Sequence, residues 1–421
     1  MTATDATAAA VGPGSIPGPA PRAEIVVTYL AALPASATAA RSAAEAFALG
    51  QSLGTWRPVP GITDAMRAAH GARVVDLRRA GDGEEVNGAP AEGRWILRVA
   101  FPIVNLGDSL AMLLTTAIGN DPSTSIAMRL VDLEVPPAFV AMFPGPRFGI
   151  AGWRAITGID DRPLLLNMIK PCTGFPPEVG AGFAAESARG GVDLIKDDEL
   201  LADPSFSRVA DRTRAYVAAI DRVAAETGRA TRYVAHVTTT PARLAATARA
   251  AVDAGAAAVM VTPLTLGLDS LVELASDVGV PILAHVAGIE MITGAIEGGI
   301  GHGAVARLLR LAGADAVLTS TPHAPRPLPE AAYGATIDAL RDPLPGVEVR
   351  PSLPMVGGGI AAEHVAAIVD AAGIDVMIAA GGAIQGHPDG AAAGGESMQA
   401  AIADAAAAWR ARQAASIDER P

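Results

Sequence analysis

The chain from about residue 163 onward alternates short apolar runs with longer amphipathic runs. The short runs have the length and composition of buried strands, and the longer runs carry apolar residues at helical spacing. Eight such units within about 250 residues predict a (β/α)8 TIM barrel, although an open doubly wound sheet would show the same alternation. The predicted strands are residues 164–170, 192–197, 233–238, 257–262, 282–286, 316–320, 349–355 and 376–380, and the predicted helices include residues 205–227, 241–254, 268–278, 304–312 and 361–372.

Residues 23–140 follow a different pattern, which predicts a smaller N-terminal α+β domain of the ferredoxin-like type. Its strand-like runs are residues 25–29, 74–77, 95–100 and 130–135, with an alanine-rich helical run at residues 39–49. Residues 142–146 indicate a linker, so the barrel domain is expected over residues 141–415. Residues 1–22 are rich in Ala, Pro, Gly and Thr and lack the basic start of a signal peptide, which predicts a disordered tail.

Composition excludes several classes of partner. The 421 residues include 32 basic and 44 acidic side chains, a formal charge of −12, whereas nucleic acids and anionic membranes are bound by basic surfaces. No run has the roughly 18 consecutive apolar residues of a membrane span. The single cysteine, Cys172, excludes an intrachain disulfide and predicts a cytoplasmic location.

The segment from residue 190 to residue 199, Gly-Gly-Val-Asp-Leu-Ile-Lys-Asp-Asp-Glu, puts four ionisable residues at the end of a buried strand. Side chains alternate along a strand, so Lys196 and Asp198 face one way and Asp197 the other. Glu199 rejoins the first pair where the strand ends. Two carboxylates suit Mg²⁺, and a neighbouring lysine suits it only as an anionic carbamate formed with CO₂. The alternative is a solvated charge cluster.

Polar and glycine residues converge on the predicted carboxyl ends of the strands, where barrel enzymes carry their active sites. Glycines leave backbone N–H groups open to an anion, so the clusters after strands seven and eight predict a phosphate site, although tight turns also use glycine. The strand-end residues are, in order, Lys170 and Cys172, Lys196 to Glu199, His236 and Thr238, Thr262, His285, Thr319 to Thr321, Gly357 to Gly359, and Gly381 and Gly382.

Three segments together resemble the large subunit of ribulose bisphosphate carboxylase (RuBisCO) and, more closely, its non-carboxylating relatives, the RuBisCO-like proteins. They are Ile169-Lys170-Pro171, residues 190–199, and residues 381–390, Gly-Gly-Ala-Ile-Gln-Gly-His-Pro-Asp-Gly. Gly54-Thr55-Trp56, Gly119-Asn120 and residues 301–315 extend the resemblance over nearly all of the chain after the tail.

This resemblance implies a set of roles. A carbamate on Lys196 would bind Mg²⁺ with Asp198 and Glu199, Lys170 would be an acid/base group, and His285 would sit at the substrate hydroxyls. One phosphate would bind at Gly357, Gly358, Gly359, Gly381 and Gly382 together with Thr55 and Trp56, and Asn120 would reach the metal-side substrate oxygens. Thr55, Trp56 and Asn120 would act on the barrel of a neighbouring subunit, which implies a homodimer with shared active sites.

The chain also departs from the family pattern. Cys172, Val286, Ile289, Leu318, Gly50 and Gly357 stand where the family has a lysine, an arginine, two histidines, an acidic residue and a serine, and residues 321–326 contain no lysine. The missing loop lysine and acidic residue are groups with which a carboxylase binds CO₂. The missing arginine and histidine belong to a second phosphate site. The resemblance therefore implies no CO₂ fixation and a ligand with one phosphate.

What remains suits Mg²⁺-assisted formation of an enediolate from a phosphorylated ketose or keto acid. Proton return would give an isomerase or tautomerase ("enolase"), and loss of a carboxylate would give a decarboxylase; the sequence does not choose between them. The lack of a methionine cluster or aromatic pocket favours a substrate without a thioether. A binding or regulatory protein that has lost catalysis is the competing class, and the retained metal ligands favour an enzyme.

Overall fold

The computed structural model describes residues 23–55, 59–294, 298–325 and 327–418. The predicted tail, Trp56 and Arg326, the last residue of the segment 321–326 that lacks a lysine, lie outside these residues. Within the described part, none of the helices combines the length and the apolar character that a membrane crossing requires.

The N-terminal part is a four-stranded antiparallel sheet in the order β2 (Arg73–Arg79), β5 (Trp95–Pro102), β1 (Glu24–Ala31) and β6 (Met128–Glu134), with helices packed against it. This sheet confirms the predicted α+β class. The hydroxyl of Tyr29 on β1 donates to the carbonyl of Ala117 on α3 at 2.8 Å and fixes that helix to the sheet. The elements are β1 (Glu24–Ala31), α1 (Ala37–Leu53), α2 (Asp64–His70), β2 (Arg73–Arg79), β3 (Glu85–Val86), β4 (Ala89–Pro90), β5 (Trp95–Pro102), α3 (Leu110–Ile118), α4 (Asp121–Thr124), β6 (Met128–Glu134) and α5 (Pro137–Val140), with a 3-10 turn at Ile103–Asn105.

The predicted linker, residues 142–146, joins this part to the barrel and is itself packed. Phe143 is buried in the main apolar core, and the Gly145 N–H donates to the carbonyl of Leu311 at 3.2 Å.

Eight parallel strands then close into a barrel, because β14 pairs with β7 as well as with β13. This confirms the predicted barrel and excludes the open sheet. The elements are α6 (Gly149–Thr157), β7 (Leu164–Met168), α7 (Pro177–Arg189), β8 (Leu194–Lys196), α8 (Val209–Thr227), β9 (Arg232–His236), α9 (Pro241–Asp253), β10 (Ala258–Val261), α10 (Pro263–Leu266), α11 (Leu268–Asp277), β11 (Ile282–Ala284), α12 (Ile289–Thr293), α13 (His302–Leu311), β12 (Ala316–Thr319), α14 (Glu330–Arg341), β13 (Leu353–Val356), α15 (Val365–Ala372) after a 3-10 turn at Ala362–His364, β14 (Met377–Ala380), α16 (Gly382–Gln385) and α17 (Ala391–Asp418).

The barrel interior is filled by apolar side chains from alternate strand positions, among them Leu164, Leu166 and Leu194. Trp153 of α6 is fully buried against the same cluster. The Gly149 N–H of α6 donates to Asp315, which directly precedes β12, at 2.7 Å. Helix α6 therefore closes the N-terminal end, so a ligand approaches from the C-terminal end.

Strand seven of the barrel differs from its prediction: residues 349–355 were expected, and β13 runs Leu353–Val356. The carbonyls of Val349 and Arg350 accept hydrogen bonds from the guanidinium of Arg310 at 2.8 and 3.0 Å instead of joining a neighbouring strand. Pro351 lacks an N–H for a ladder. The helix predicted from residue 205 likewise begins later, at Val209, whose N–H donates to the Asp203 carboxylate at 2.9 Å.

Candidate active site

The end of β8 separates its charged residues onto two faces. Asp197 faces outward and accepts hydrogen bonds from Arg212 of α8 at 3.0 and 2.9 Å, and both side chains of this ion pair are fully buried. Lys196 and Asp198 line a cavity on the other face. The alternation expected from the sequence therefore exists in the structure, and Asp197 serves to fasten β8 to α8.

This cavity has a volume of about 360 Å³ and lies at the C-terminal end of the barrel. It brings together every predicted catalytic and metal-binding residue of the barrel with both glycine clusters. Thr55 and Asn120 do not line it, and their expected role in a neighbouring subunit stays a prediction. The lining residues are Met168, Lys170, Lys196, Asp198, Glu199, His285, Leu318, Met355, Gly357, Gly358, Gly359, Gly381 and Gly382.

Lys196 is almost completely buried, with a side chain that is 1% exposed. Its Nζ donates to the carbonyl of Asp197 at 2.9 Å and lies 3.9 Å from Oε2 of Glu199. Burial lowers the pKa of Lys196 more than the nearby carboxylates of Glu199 and Asp198 raise it. A lowered pKa increases the neutral fraction of the amine, which is the form that reacts with CO₂.

Lys170 follows β7, the strand that pairs with β8. Its Nζ donates to Oδ2 of Asp198 and, at 2.9 Å, to Sγ of Cys172. Burial lowers the pKa of Lys170, but the hydrogen bond and charge of Asp198 outweigh this effect, so the pKa rises above its ordinary value. Lys170 is therefore a charged proton donor at neutral pH, whereas Lys196 is shifted toward the neutral amine.

His285 and Glu199 form a second polar pair in the cavity. Nε2 of His285 lies 3.3 Å from Oε2 of Glu199, and this contact holds the pKa of Glu199 well below its usual range. Glu199 is thus an anion across the physiological pH range. Nδ1 of His285 is buried and has no hydrogen-bond partner among the described residues, so it is available to a ligand hydroxyl.

A hard divalent cation such as Mg²⁺ prefers several oxygen ligands. Asp198 and Glu199 supply two carboxylates on the same cavity wall. In the part of the chain that the structure describes, no group of three His, Cys, Asp or Glu side chains is arranged to hold a metal. A third anionic protein ligand would have to be a modified Lys196, so the residues fit Mg²⁺ if that lysine carries a carbamate.

The glycine loops expose backbone toward the same cavity. Gly358 and Gly359 have φ angles of +102° and +86°, a left-handed conformation that other residues rarely adopt. A Cβ at Gly381 would lie 3.2 Å from Met168 Cε, whereas a Cβ at Gly382 would meet no atom within 4 Å. The empty space beside Gly382 leaves its backbone open to an anion.

A second cavity of about 630 Å³ adjoins the first and shares Leu318, Gly357 and Gly358 with it. Val286 and Ile289 also line it, so the residues that replace family polar groups form one apolar wall.

This second cavity is also lined by polar groups that sequence reasoning missed. Arg129, Glu290 and His302 line it, and Nε2 of His302 lies 3.6 Å from Oε1 of Glu290. These residues come from β6, α12 and α13. No motif or spacing joins them in the sequence, so only the fold reveals the cluster.

Comparison with known proteins defines the class. The family model described as "Ribulose bisphosphate carboxylase large chain, N-terminal domain" matches residues 19–139, and "Ribulose bisphosphate carboxylase large chain, catalytic domain" matches residues 149–326 and 344–417. The chain belongs to the RuBisCO large-chain family, which confirms the resemblance inferred from its motifs.

Individual relatives are similar over most of their length. The chain is 42% identical to a ribulose bisphosphate carboxylase-like protein of Archaeoglobus fulgidus, over 85% of this chain and 82% of the relative. It is 36% identical to the 2,3-diketo-5-methylthiopentyl-1-phosphate enolase of Geobacillus kaustophilus, over 90% of this chain and 92% of that relative. A crystal structure of a rubisco-like protein from Alicyclobacillus acidocaldarius superposes with a TM-score of 0.80 and 33% identity, covering 90% of this chain and 93% of that one.

Proposed function

We propose that this protein is a Mg²⁺-dependent, non-carboxylating enzyme that forms an enediolate from a phosphorylated ketose or keto acid. The observation that carries the proposal is the buried amine of Lys196 beside Asp198 and Glu199 in a cavity that is also lined by the glycine loops. The reaction would be an isomerisation or tautomerisation of the enolase type, or a decarboxylation. A cytoplasmic location belongs to the same proposal.

The metal site would be completed by CO₂. The neutral Nζ of Lys196 would form an N–C bond to CO₂, one carbonyl bond would open to a carboxylate oxygen, and a proton would leave the nitrogen. Burial favours this step because it lowers the pKa of the amine. Mg²⁺ bound there by Lys196, Asp198 and Glu199 would supply Lewis-acid stabilisation of the negative charge on the substrate oxygens.

The remaining polar side chains have positions suited to proton transfer and orientation. Lys170 is charged and lines the cavity, so it can donate a proton to the substrate. The modified Lys196 would be the second proton carrier. His285 presents a buried Nδ1 without a partner among the described residues, and this atom can accept a hydrogen bond from a substrate hydroxyl.

The shape of the site favours a substrate with one phosphate and a less polar opposite end. The glycine loops would hold the phosphate, and the apolar wall of Val286, Ile289 and Leu318 lines the cavity beyond them. The name of the Geobacillus kaustophilus relative describes a substrate of this kind, a methylthiopentyl monophosphate. The aliphatic wall suits either a methylthio group or a plain carbon chain, and the expectation of a substrate without a thioether stays a prediction.

The direct test is a screen of phosphorylated ketoses and diketones in D₂O with Mg²⁺ and bicarbonate, followed by NMR. Enzyme-dependent exchange of a carbon-bound proton, lost in Lys170→Met, is the expected result. A protein that binds these ligands but exchanges no proton would instead be a binding or regulatory member of the family.

Phosphate count gives a second test. A bisphosphate would place a second dianion against Val286 and Leu318, where an unpaired buried charge costs several kcal/mol. A sugar monophosphate should therefore bind at least as tightly as its bisphosphate analogue in calorimetric titrations. A preference of roughly tenfold for the bisphosphate, about 1.4 kcal/mol, would contradict this and would direct attention to Arg129 and His302.

CO₂ fixation is not part of the proposed activity. A carboxylase of this family uses a lysine after strand six, and residues 321–326 contain none. Incubation with ribulose 1,5-bisphosphate and labelled bicarbonate should therefore produce no labelled 3-phosphoglycerate above background.

A further inference from the structure

His236 lies inside the barrel close to the proposed metal site. Val234 of β9 belongs to the interior cluster and pairs with Lys196 of β8. His236 comes two residues later, so it faces the same interior one level nearer the C-terminal end. It is 1% exposed. Burial lowers its pKa to about 4 even though the charge of Asp197 acts to raise it, so the imidazole is neutral at physiological pH.

The surrounding hydrogen bonds determine which ring nitrogen carries the proton. Nε2 of His236 lies 2.7 Å from Oγ1 of Thr238. That hydroxyl already accepts from the Thr262 N–H at 3.0 Å and from the Thr262 hydroxyl at 3.2 Å. With both lone pairs engaged, the Thr238 hydroxyl must donate its own proton, and Nε2 of His236 is the acceptor beside it. The proton of the neutral ring is therefore on Nδ1.

This Nδ1–H group is buried and has no partner among the described residues. A buried donor without a partner destabilises the folded protein, so an acceptor is expected at this position in the working protein. The Asp197 carboxylate faces outward and binds the backbone N–H of His236 rather than its ring. The added group expected on Lys196, on the adjacent strand, would bring an anionic oxygen into this interior.

We propose that His236 is a positioning residue for the modified Lys196, with its Nδ1–H donating a hydrogen bond to an oxygen of the carbamate. The bond would orient the carbamate toward Asp198 and Glu199 and make it harder to lose. This inference rests on the proposed function, because it requires the carbamate. In this arrangement Thr238 and Thr262 have the role of setting the tautomer of His236 through their hydrogen bonds.

The test compares substitutions that keep or remove a donor at the Nδ1 position. His236→Asn places its amide NH₂ near that position, whereas His236→Gln places it near Nε2, and His236→Leu has no donor. Bound carbamate is measured by NMR with ¹³C-bicarbonate, and Mg²⁺ affinity by calorimetry at fixed bicarbonate. The Gln and Leu variants should bind Mg²⁺ at least roughly tenfold more weakly and lose carbamate signal, while Asn stays within about threefold of the wild type.

Thermal unfolding without Mg²⁺ and bicarbonate shows whether each variant is folded, and the Asn–Gln pair remains informative if Leu is not. Wild-type affinity and carbamate signal in His236→Gln would overturn the role of His236 while leaving the proposed function intact. Equal losses in Asn and Gln would overturn the assignment to Nδ1. A wild-type protein with neither carbamate signal nor bicarbonate-dependent Mg²⁺ binding would overturn the proposed metal site itself, and the role of His236 with it.

Discussion

A buried lysine gives up hydration, and Lys196 recovers only part of it from the Asp197 carbonyl and from Glu199 at 3.9 Å. Its pKa lies below the ordinary 10.5, so the unfolded state binds more protons between the folded pKa and 10.5. Stability therefore rises with pH across that window. At neutral pH the buried, protonated Lys196 therefore lowers the free energy of unfolding. A purely structural role would not explain why the chain has a lysine at this position.

Lys196→Met should remove both the destabilising buried charge and the proposed metal site. Without ligands, the variant should unfold at a temperature equal to or above that of the wild type near neutral pH, and the difference should shrink as the pH approaches 10.5. With bicarbonate and Mg²⁺ at 100 times the dissociation constant, the wild type should gain about 2.7 kcal/mol and the variant nothing. Calorimetric melts over pH check both; an equal Mg²⁺ gain in the variant would exclude Lys196 as a ligand.

Strand β8 is fastened to α8 by an ion pair between Asp197 and Arg212, and neither residue lines the cavity. Arg212 pairs with Asp197 inside the protein and also donates to the carbonyls of Ser207 and Ala202 at 2.6 and 2.7 Å. Arg212→Met would leave Asp197 as a buried, unpaired charge and should lower the free energy of unfolding by about 3–5 kcal/mol. Urea denaturation measures this change.

Helix α8 also provides the matched control. Arg214 and Asp211 form an ion pair on its exposed face, with side chains 62% and 59% exposed. Arg214→Met should therefore cost at most about 1 kcal/mol. Similar losses in the two variants would mean that burial does not set the strength of the Arg212 pair.

The loop after β14 should bind phosphate through the backbone N–H groups of its glycines. Gly382→Ala adds a methyl group that meets no protein atom within 4 Å, so stability should not change. The same methyl projects into the cavity and should weaken binding of inorganic phosphate and of phosphorylated ligands by roughly tenfold, about 1.4 kcal/mol. Gly279→Ala is the control, because its added Cβ is equally unhindered and Gly279 does not line the cavity. Unchanged phosphate affinity in Gly382→Ala would remove this loop from the site.

The sequence predicted those parts of the molecule that depend on local pattern. The two faces of β8 followed from alternation around Lys196, and the barrel followed from repeated strand–helix units. The start of β13 could not be predicted, because the carbonyls that would extend it bind Arg310, about 40 residues earlier. The tautomer of His236 could not be predicted either, since it depends on Thr262, the residue that follows the neighbouring strand β10.

The predicted homodimer would build each active site from residues of two chains. Thr55 and Asn120 do not line the cavity of their own barrel, and the family resemblance implies that they reach the barrel of a partner. Asn120 has a φ of +52°, which glycine adopts without strain. Asn120→Gly therefore removes the side chain while preserving the backbone, and should abolish exchange activity without loss of stability.

Complementation then tests shared sites directly. A chain with Lys196→Met has a defective barrel but an intact Asn120, and a chain with Asn120→Gly has the reverse. In a mixed dimer one of the two sites is built from intact parts, so random co-assembly should restore about a quarter of wild-type proton exchange. Co-expressing Lys196→Met with Asp198→Asn should restore nothing, because both changes lie in the barrel. If the first mixture also stays inactive although mixed dimers are isolated through two different tags, each barrel works with its own N-terminal domain and the shared-site arrangement is wrong.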